Sequence, residues 1–451
     1  MLKQLLLPEI EELIENRRWN ELRDGITSWH PSEVADLLLE IDKKDRVLLF
    51  RALPRDFATD VFTEYEYEER ESLLSDLTDR ETKFLLEDLS PDDRTDLLSE
   101  LPAKVTRELM NMLSPEDLRE ARFLLGYPDE SVGRMMTPDF IKINADWTVK
   151  DALNQIRKFG KDSETINRVY VLDKKGKLID DILLKALILS QEDTKIEDLM
   201  DYSVISISAF DDQEEAVRYM EKYDLYVLPV VDSEGCLVGI VTFDDVFDVS
   251  EEEATEDFQK LGGVNPVDQS YLTASVGKLF VKRFPWLFAL LLANFISAAV
   301  ISYYQPVFTL VGALVFFMPL LNGAAGNSGT QSATLVIRSM ALGEIDFKMW
   351  RKVFAKELII GLLLGLSLGV FTYLRGILEG QSNHEISIVV SLSVLVLLIW
   401  ANLVGGLLPL IISRFNLDPA VISSPLITTL IDITGISIYF NIAIFIMDIP
   451  F

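Results

Sequence analysis

The sequence is poor in the residues that form disulfides, zinc sites and histidine-based active sites. Its 451 residues include one cysteine, Cys236, and two histidines, His30 and His384. A single cysteine excludes an intramolecular disulfide, and two distant histidines are too few for a typical zinc site. Basic residues are also scarce, because 71 acidic side chains outnumber 42 basic ones and give a net charge of -29. A chain this acidic repels nucleic acid, so no nucleic-acid partner is expected.

Motifs of common enzymes are missing as well. His384-Glu385 is not followed by the second histidine of an H-E-x-x-H metalloprotease motif. Gly277-Lys278 is not part of a P-loop, because Leu272 stands where the upstream glycine belongs. The sequence therefore predicts a protein that is not an enzyme. The N-terminal stretch also lacks the long apolar core of a cleaved signal, so we expect the N-terminal part of the chain to remain in the cytosol.

The acidity is concentrated in one part of the chain. Residues 284–451 contain 7 basic and 8 acidic side chains, so residues 1–283 carry a net charge of -28. Such a surface attracts cations, although acidic surfaces also simply keep proteins soluble. Net charge alone does not decide between these interpretations.

The first part of the chain repeats every 12 residues. Paired apolar residues recur at Leu37-Leu38, Leu49-Phe50, Val61-Phe62, Leu73-Leu74, Leu85-Leu86, Leu97-Leu98 and Leu109-Met110. Turn signals such as Ser90-Pro91 separate them and are typical of a helix N-cap followed by proline. The repeat predicts an acidic α-solenoid over residues 1–130, in which each short helix covers its neighbour. Asp92 and Asp96 share one helix face, which in most proteins is only solvated surface.

Residues 131–249 change to alternating strands and helices. Two segments follow the same order, with aligned turns at 173–176 and 232–235. The tandem resembles a pair of CBS modules, and LPVVDSEGCLVGIVTFDDV is its most characteristic stretch. The resemblance implies a regulatory α/β domain that often dimerises.

The CBS resemblance also implies a candidate nucleotide site. Gly239, Thr242 and Asp245 match the G-x-x-[ST]-x-x-D element with which many CBS pairs grip the ribose and phosphate of ATP or a related nucleotide. The equivalent stretch of the first module, 180–186, does not match. The alternative is a strand-to-helix turn with a purely structural role.

A connector helix is expected over residues 250–270, preceded and accompanied by many acidic side chains. Crowded carboxylates repel one another unless cations screen them, and hard divalent cations prefer oxygen ligands. An ordinary charged helix at the membrane surface is the alternative, but acidity is unfavourable beside an anionic leaflet. The candidate cytosolic sensor residues are Asp92, Asp96, Asp212, Glu214, Asp224, Asp245, Asp248, Glu253, Glu256 and Asp257.

Residues 271–451 form the predicted all-α transmembrane domain. Apolar runs long enough to cross a bilayer core of about 30 Å are expected near 284–304, 307–337, 353–375, 386–413 and 421–447. Basic residues lie before the first span, between the second and third, and after the fourth. The positive-inside rule then places the N-terminus in the cytoplasm and the C-terminus outside, as in a bacterial plasma membrane.

The second and fifth spans carry the candidate ion path. Span two is predicted to be interrupted at 319–332, because several glycines and amides at mid-membrane are costly unless they line a polar cavity. Asp432 is the only acidic residue that we place deep in a span, and capping or pairing inside the bundle is its structural alternative. One carboxylate with carbonyls and amides suits an ion that keeps most of its water, as Mg²⁺ does.

PLLNGAAGNSGTQSATL, ANLVGGLLP, LDPA and SPLITTLIDITG look like the signature segments of the MgtE magnesium transporters. With the solenoid, the CBS pair and the connector, the resemblance covers essentially the whole chain. It implies a homodimer in the lipid bilayer, with a Mg²⁺ pore on the two-fold axis that the connector closes when cytosolic Mg²⁺ is high. The residues that carry over to the ion path are Gly326, Asn327, Gly329, Gln331 and Asp432. Thr330 is a further candidate for the path, and His384 and Asp418 are further metal candidates at the membrane boundary.

The sequence departs from the family pattern at one position, and three other classes of protein are weighed against the transporter interpretation. Thr330 stands where some family members have Asn, which leaves transport of Mn²⁺ or Co²⁺ open. A CBS-regulated anion or osmolyte transporter should carry basic residues at mid-membrane, where this chain has none. A membrane receptor without transport would have no use for the polar second span. An intramembrane metalloprotease would need the second histidine of the H-E-x-x-H motif, which this chain does not have.

Overall fold

The computed structural model describes residues 10, 12–14, 16–65, 67–267, 269, 271–378, 384–415 and 417–450. These residues form two compact units, one up to Glu252 and one from Glu253 onwards. Each unit has its own apolar core.

The first unit begins with a series of short helices. Their bounds are Trp19–Ile26, Pro31–Glu40, Lys43–Ala52, Arg55–Thr63, Tyr67–Asp76, Asp79–Asp88, Pro91–Glu100, Ala103–Met110 and Asp117–Leu124. The apolar pairs of the 12-residue repeat point inward, since Leu37, Leu38, Leu49 and Val61 are fully buried. Ser90 caps the helix Pro91–Glu100 by accepting a hydrogen bond from the Asp93 amide. The predicted helical N-terminal domain is confirmed.

The same unit continues with two three-stranded sheets that share one topology. Their strands are Lys142–Ile143, Arg168–Leu172 and Leu178–Leu183, then Ile207–Ser208, Val227–Val231 and Leu237–Thr242. In each sheet the first strand is parallel to the second, and the second is antiparallel to the third. The accompanying helices are Val132–Met135, Val149–Phe159, Leu184–Leu189 and Gln213–Tyr223, with a 3₁₀ turn at Ile196–Leu199. The predicted tandem α/β modules are confirmed.

A single helix, Phe243–Leu261, follows the last strand and is called the connector helix below. It starts inside the first unit and ends in the second. It begins directly after the strand Leu237–Thr242, so it extends further toward the N-terminus than the expected connector.

The second unit is helical. We name its long helices in chain order: the first is Val276–Tyr303, the second Met318–Ala341, the third Trp350–Leu378, the fourth His384–Ser413 and the fifth Ser424–Ile446. Shorter elements are the helix Gln305–Leu310 and the 3₁₀ turns Gly312–Phe317, Phe347–Met349 and Pro419–Val421. Among the described residues, four helices are long and apolar enough to cross a membrane, namely the first, third, fourth and fifth. The glycines and amides of the second long helix make it less apolar than these four.

The predicted interruption at 319–332 is wrong. The second long helix runs without a break through these residues. The break instead precedes it, at the 3₁₀ turn Gly312–Phe317, and Pro319 occupies the first turn of the new helix, where its missing N–H costs nothing. Glycine lowers intrinsic helix propensity, but here close packing against neighbouring helices outweighs that cost.

Candidate functional site

The second long helix presents one face to the fifth. A Cβ atom at Gly326 would lie 3.0 Å from Thr428 Cγ2, so this glycine permits close contact between the two helices. Thr330 Oγ1 lies 3.5 Å from Thr428 Oγ1, near the limit of a hydrogen bond. Two residues predicted for the ion path therefore face the fifth long helix, which also carries Asp432.

Gly329 lies in a very close contact between helices of this bundle. A Cβ atom there would overlap Ile431 Cδ1 and would lie 3.1 Å from the carbonyl oxygen of Ala401. A Cβ atom at Gly405 of the fourth long helix would in turn overlap the Gly329 carbonyl. The two glycines let the second and fourth helices meet backbone to backbone.

Asn327 and Gln331 lie on a different face of the second long helix and are exposed. They are four residues apart, and Gly323 continues the row with open space beside it. Carboxamides that faced lipid would lose their hydrogen bonds to water. In a membrane this row therefore needs either water or a protein surface to cover it.

Asp432 lies on the fifth long helix, one turn beyond Thr428. It is half-buried, and its Oδ1 is buried with no hydrogen-bond partner among the described residues. The predicted alternative of a helix-capping aspartate is excluded, because the helix Ser424–Ile446 is continuous around it.

Asp432 opens onto a groove of about 590 Å³ between the first and fifth long helices. Its lining residues are Leu287, Leu290, Leu291, Asn294, Ser424, Pro425, Thr428, Thr429 and Asp432. Hydroxyls and the carboxylate recur every four residues along the fifth helix. Asn294 is a polar member that sequence reasoning missed, although an amide within the apolar run 284–304 was a signal that could have found it.

A second acidic side chain is buried in the helical bundle, near the start of the predicted span 353–375 and not deep within it. Glu357 of the third long helix is 6% exposed and lies 2.8 Å from Ser332 Oγ. A carboxylate within the predicted span 353–375 was the sequence signal that could have identified Glu357.

The first unit holds a cluster of carboxylates, formed by Asp92, Asp93, Glu164, Asp244 and Asp245. Asp92 is 9% exposed, and its Oδ1 has no hydrogen-bond partner among the described residues. Asp245 accepts a hydrogen bond of 2.6 Å from Thr242 Oγ1. Asp92 and Asp245 were predicted sensor residues, and the structure brings their charges into interaction. Glu164 was missed, because it lies in a loop of the first module without a motif.

Burial and mutual repulsion raise the pKa values of three of these carboxyl groups, those of Asp92, Glu164 and Asp245. Burial, followed by the charge of Asp92, raises the pKa of Asp245 to about 8. The same two causes raise the pKa of Glu164 to about 7, and burial raises the pKa of Asp92 to about 6. A cation among them would favour the ionised forms. Within the described part of the chain, however, no three Asp, Glu, His or Cys side chains converge closely enough to hold a metal ion.

The other predicted sensor residues of the first unit have various surroundings. Asp96 is exposed and pairs with Arg70 at 2.9 Å. Burial raises the pKa of Asp248, with the charge of Asp244 as the second cause. Asp212 accepts a hydrogen bond from the amide of the exposed Glu214 and caps the helix Gln213–Tyr223, which ends at Asp224 in a left-handed conformation.

The end of the connector helix makes an ion-pair cluster in the second unit. Lys260 Nζ lies 2.7 Å from Asp418 Oδ2 and 2.5 Å from Glu256 Oε1. Burial raises the pKa of the neighbouring Asp257, with the charge of Asp418 as the second cause. Glu253 completes the acidic set on this helix. The acids of this cluster were predicted from the sequence, but the lysine that joins two of them was not.

His384 and Asp418 do not share a site. His384 begins the fourth long helix, whereas Asp418 follows its end. At 1.5 Å per residue, that helix separates them by about 45 Å.

The nucleotide motif has a structural explanation. A Cβ atom at Gly239 would lie 2.7 Å from Met136 Sδ and 2.9 Å from the Thr137 carbonyl oxygen, so glycine is needed for packing. Thr242 donates its hydrogen bond to Asp245 within the motif itself.

Comparison with known proteins agrees with this architecture throughout the chain. Residues 318–442 match a family profile described as divalent cation transporter, residues 29–130 match the MgtE intracellular N domain, and 132–190 and 196–252 match CBS domains. Proteins named magnesium transporter MgtE are 36% identical in Thermus thermophilus, 34% in Bacillus subtilis and 38% in Enterococcus faecalis. The matches cover 98%, 97% and 96% of this chain and 98%, 96% and 95% of those proteins.

Solved structures resemble the first unit. The cytosolic domain of the Mg²⁺ channel MgtE in complex with ATP matches with a TM-score of 0.52 and 33% identity, covering 53% of this chain and 98% of that one. The soluble part of a magnesium transporter matches with a TM-score of 0.53 and 32% identity, covering 56% and 99%.

Fold and comparisons together define a multi-pass membrane transport protein with a pair of CBS domains, and not an enzyme. The chain belongs to the MgtE family of divalent cation transporters.

Proposed function

We propose that this protein is a homodimeric, Mg²⁺-selective channel whose cytosolic unit binds Mg²⁺ and closes the path when internal Mg²⁺ is high. The observation that carries the transport proposal is Asp432, whose buried Oδ1 lacks a hydrogen-bond partner among the described residues and borders the groove of about 590 Å³. An ionisable group inside a membrane segment is costly and points to function.

The groove suits an ion that keeps its water shell. Its polar atoms are one carboxylate and several hydroxyl and amide groups, from Asp432, Thr428, Thr429, Ser424 and Asn294. This set is too poor in charge to replace all six waters of Mg²⁺, which dehydrates reluctantly, but it can hydrogen-bond to the waters. The predicted path residues on the second long helix would add Gly326, Asn327, Gly329, Thr330 and Gln331.

The homodimer proposal follows from the exposed polar row. Asn327 and Gln331 would face lipid in a single chain, which is unfavourable. A second copy related by a two-fold axis would enclose both rows and place two Asp432 carboxylates on one path. Four apolar helices plus the polar second helix give five spans, with the N-terminus in the cytoplasm and the C-terminus outside by the distribution of basic residues.

The sensor proposal rests on charges that the fold brings together. The pKa values of Asp92, Glu164 and Asp245 lie well above those of ordinary carboxyl groups, because burying and ionising them side by side is costly. Divalent cations can replace those protons. We propose that Mg²⁺ bound at these carboxylates and at Glu253, Glu256, Asp257 and Asp418 stiffens the connector helix, and that its loss opens the path.

ATP is proposed as a second cytosolic ligand. The support is the motif Gly239, Thr242 and Asp245, together with the relative whose cytosolic domain was solved with ATP. The hydrogen bond between Thr242 and Asp245 would have to open for a ribose to bind there.

The deciding experiment is Mg²⁺ uptake into vesicles that contain the purified full-length protein and a trapped Mg²⁺ indicator. Asp432→Asn should reduce uptake at least about tenfold, since the loss of roughly 1.4 kcal/mol of ion stabilisation has that effect. Glu344→Gln, which removes an exposed charge from a loop, is the matched control.

Wild-type protein without Mg²⁺ uptake would refute the function, and normal uptake by Asp432→Asn would remove this residue from the path. Competition by Mn²⁺ and Co²⁺ decides the alternative ions. Uptake of either at the rate of Mg²⁺ would make the protein a less selective divalent transporter, as the Thr330 hydroxyl beside Thr428 permits.

A further inference from the structure

We propose that the basic end of the third long helix binds the phosphate group of an anionic phospholipid. Lys352 and Lys356 are the central residues of this site. Lys348 and Arg351 precede them closely in the chain, and all four side chains are exposed. The helix that carries the two central lysines is long and apolar enough to cross a membrane. The inference therefore rests on the membrane location of the chain and not on the ion that it carries.

The two lysines lie on the outer face of the helix. They begin a row of exposed residues that recur every three or four positions, namely Lys352, Lys356, Ile359, Leu363 and Leu366. Val353, Glu357 and Gly361 belong to another row, which is buried against the rest of the bundle. Exposed apolar side chains on a membrane-spanning helix suit contact with acyl chains. Because the lysines continue this apolar row, they lie where the headgroups of the same lipids would be.

Nearby carboxylates do not neutralise the row. Glu344 and Asp346 lie in the preceding loop and are exposed, and within the described part of the chain neither forms an ion pair with Lys352 or Lys356. Glu357 follows Lys356 directly but points into the bundle, where its Oε2 lies 2.8 Å from Ser332 Oγ. The positive charge at this end of the helix is therefore available to an anionic ligand.

The chemistry of the row fits a phospholipid better than a free anion. Lys356 lies one helical turn further along than Lys352, but helical side chains lean toward the N-terminus and a long lysine can reach back to the headgroup level. Trp350 and Phe354 are exposed at the same end, and aromatic rings favour the boundary between acyl chains and headgroups. The Arg351 guanidinium carbon lies 5.5 Å from the centroid of the Trp350 ring. A free phosphate would match the lysines but would leave the apolar row uncovered.

The first long helix provides a matched pair of lysines in different surroundings. Lys278 and Lys282 have the same four-residue spacing, but both are half-buried. Their row continues to Trp286, which donates a hydrogen bond of 2.8 Å to Ser423 and therefore faces the protein. Removing this pair changes the net charge by the same amount as removing Lys352 and Lys356, but leaves the lipid-facing row intact.

Native mass spectrometry of the full-length protein, titrated in detergent with phosphatidylglycerol or phosphatidylcholine, tests the site without any transport measurement. We expect wild type to bind phosphatidylglycerol more tightly than phosphatidylcholine. Replacing both Lys352 and Lys356 by Gln should weaken the binding of phosphatidylglycerol roughly fivefold for each lysine, because each basic side chain is attracted to the anionic headgroup. Replacing both by Arg keeps the charge and should preserve the preference. Replacing both Lys278 and Lys282 by Gln should leave the binding as in wild type.

Equal affinity of wild type for the two lipids would overturn the proposal. An equal loss in both glutamine pairs would also overturn it, because net charge rather than the row on the third long helix would then attract the lipid.

A second measurement needs only the wild-type protein and remains decisive if a variant fails to fold. Lys352 and Lys356 should react more slowly with an amine-labelling reagent in vesicles of phosphatidylglycerol than in vesicles of phosphatidylcholine. Equal labelling in the two kinds of vesicle would contradict the proposal. A carbodiimide crosslink between either lysine and a carboxylate of the protein would assign the row to an acidic protein surface instead, and would also overturn it.

Discussion

At the scale of single residues, the proposed sensor requires the carboxylates of the first unit to exchange protons for cations. Asp245, Glu164 and Asp92 have raised pKa values in the folded chain, mainly through burial. A raised carboxyl pKa means that the folded state binds the proton more tightly than the unfolded state. That stabilisation is complete below the ordinary pKa and is lost as pH rises through the folded value.

Because these carboxyl pKa values are raised on folding, the first unit should lose stability as the pH rises. Without divalent cations, its free energy of unfolding should fall between about pH 5 and about pH 9, because the three raised pKa values lie near 6, 7 and 8. The loss should be roughly 1–3 kcal/mol once solvent relaxation is allowed for. Mg²⁺ should restore it, most strongly at high pH. Hydrogen exchange across residues 10–252 of the full-length protein measures both effects.

Asp245→Asn should flatten this pH dependence and weaken the response to Mg²⁺. The matched control is Glu221→Gln, which removes an exposed charge from the helix Gln213–Tyr223 of the same unit. If the control flattens the profile as much as Asp245→Asn does, net charge rather than the cluster is responsible.

Residues that stand out in the local sequence pattern could be predicted individually. Residues whose importance depends on their buried surroundings in the fold could not. Asp432 stood out because a carboxylate in an apolar span departs from the local pattern, and Asp92 because it shares one helix face with Asp96. Glu164 and Lys260 lie in ordinary polar contexts, so their surroundings depend on which elements the fold brings together. Glu357 was visible in the sequence, but only the hydrogen bond to Ser332 shows what it contacts.

At the scale of elements, the connector helix contains its own counter-ion. Lys260 bridges Glu256 and Asp418, so part of the acidic charge is balanced without metal. The chain turns sharply just after the helix, at Gly263 with a φ of +71°. Trp286 packs against this glycine and donates a hydrogen bond of 2.8 Å to Ser423. The end of the connector is therefore anchored to the first long helix and to the segment before the fifth.

Lys260→Met should make this anchor depend on divalent cations. The ion pairs are partly exposed, so their loss should cost about 0.5–1 kcal/mol and raise amide exchange at residues 253–261 roughly two- to fivefold at low Mg²⁺. High Mg²⁺ should reverse the effect, since a cation can replace the ammonium group. Lys260→Arg keeps the charge and should resemble wild type. Equal exchange in Lys260→Met and wild type at low Mg²⁺ would show that the lysine is dispensable.

The elements themselves were largely predictable from periodicity. The 12-residue repeat predicted the short helices, and the paired strand–helix order predicted both sheets. Continuity of the second long helix was not predictable, because glycine and asparagine at 322–329 are poor helix formers on their own. The contact between Gly329 and Gly405 reverses that preference, and the sequence shows no partner for either glycine.

At the scale of the whole molecule, the exposed polar row of the second long helix predicts the interface between two copies. Leu335 lies on that face beyond Gln331 and is 68% exposed, so Leu335→Cys in a Cys236→Ser background should form a disulfide-linked dimer in the membrane. Phe371 of the third long helix is 66% exposed, and its large apolar side chain suits lipid. Phe371→Cys is therefore the matched control and should remain monomeric under the same oxidation. Dimers of Phe371→Cys alone would place the interface on the third helix, and would leave Asn327 and Gln331 without the cover that the two-fold path requires.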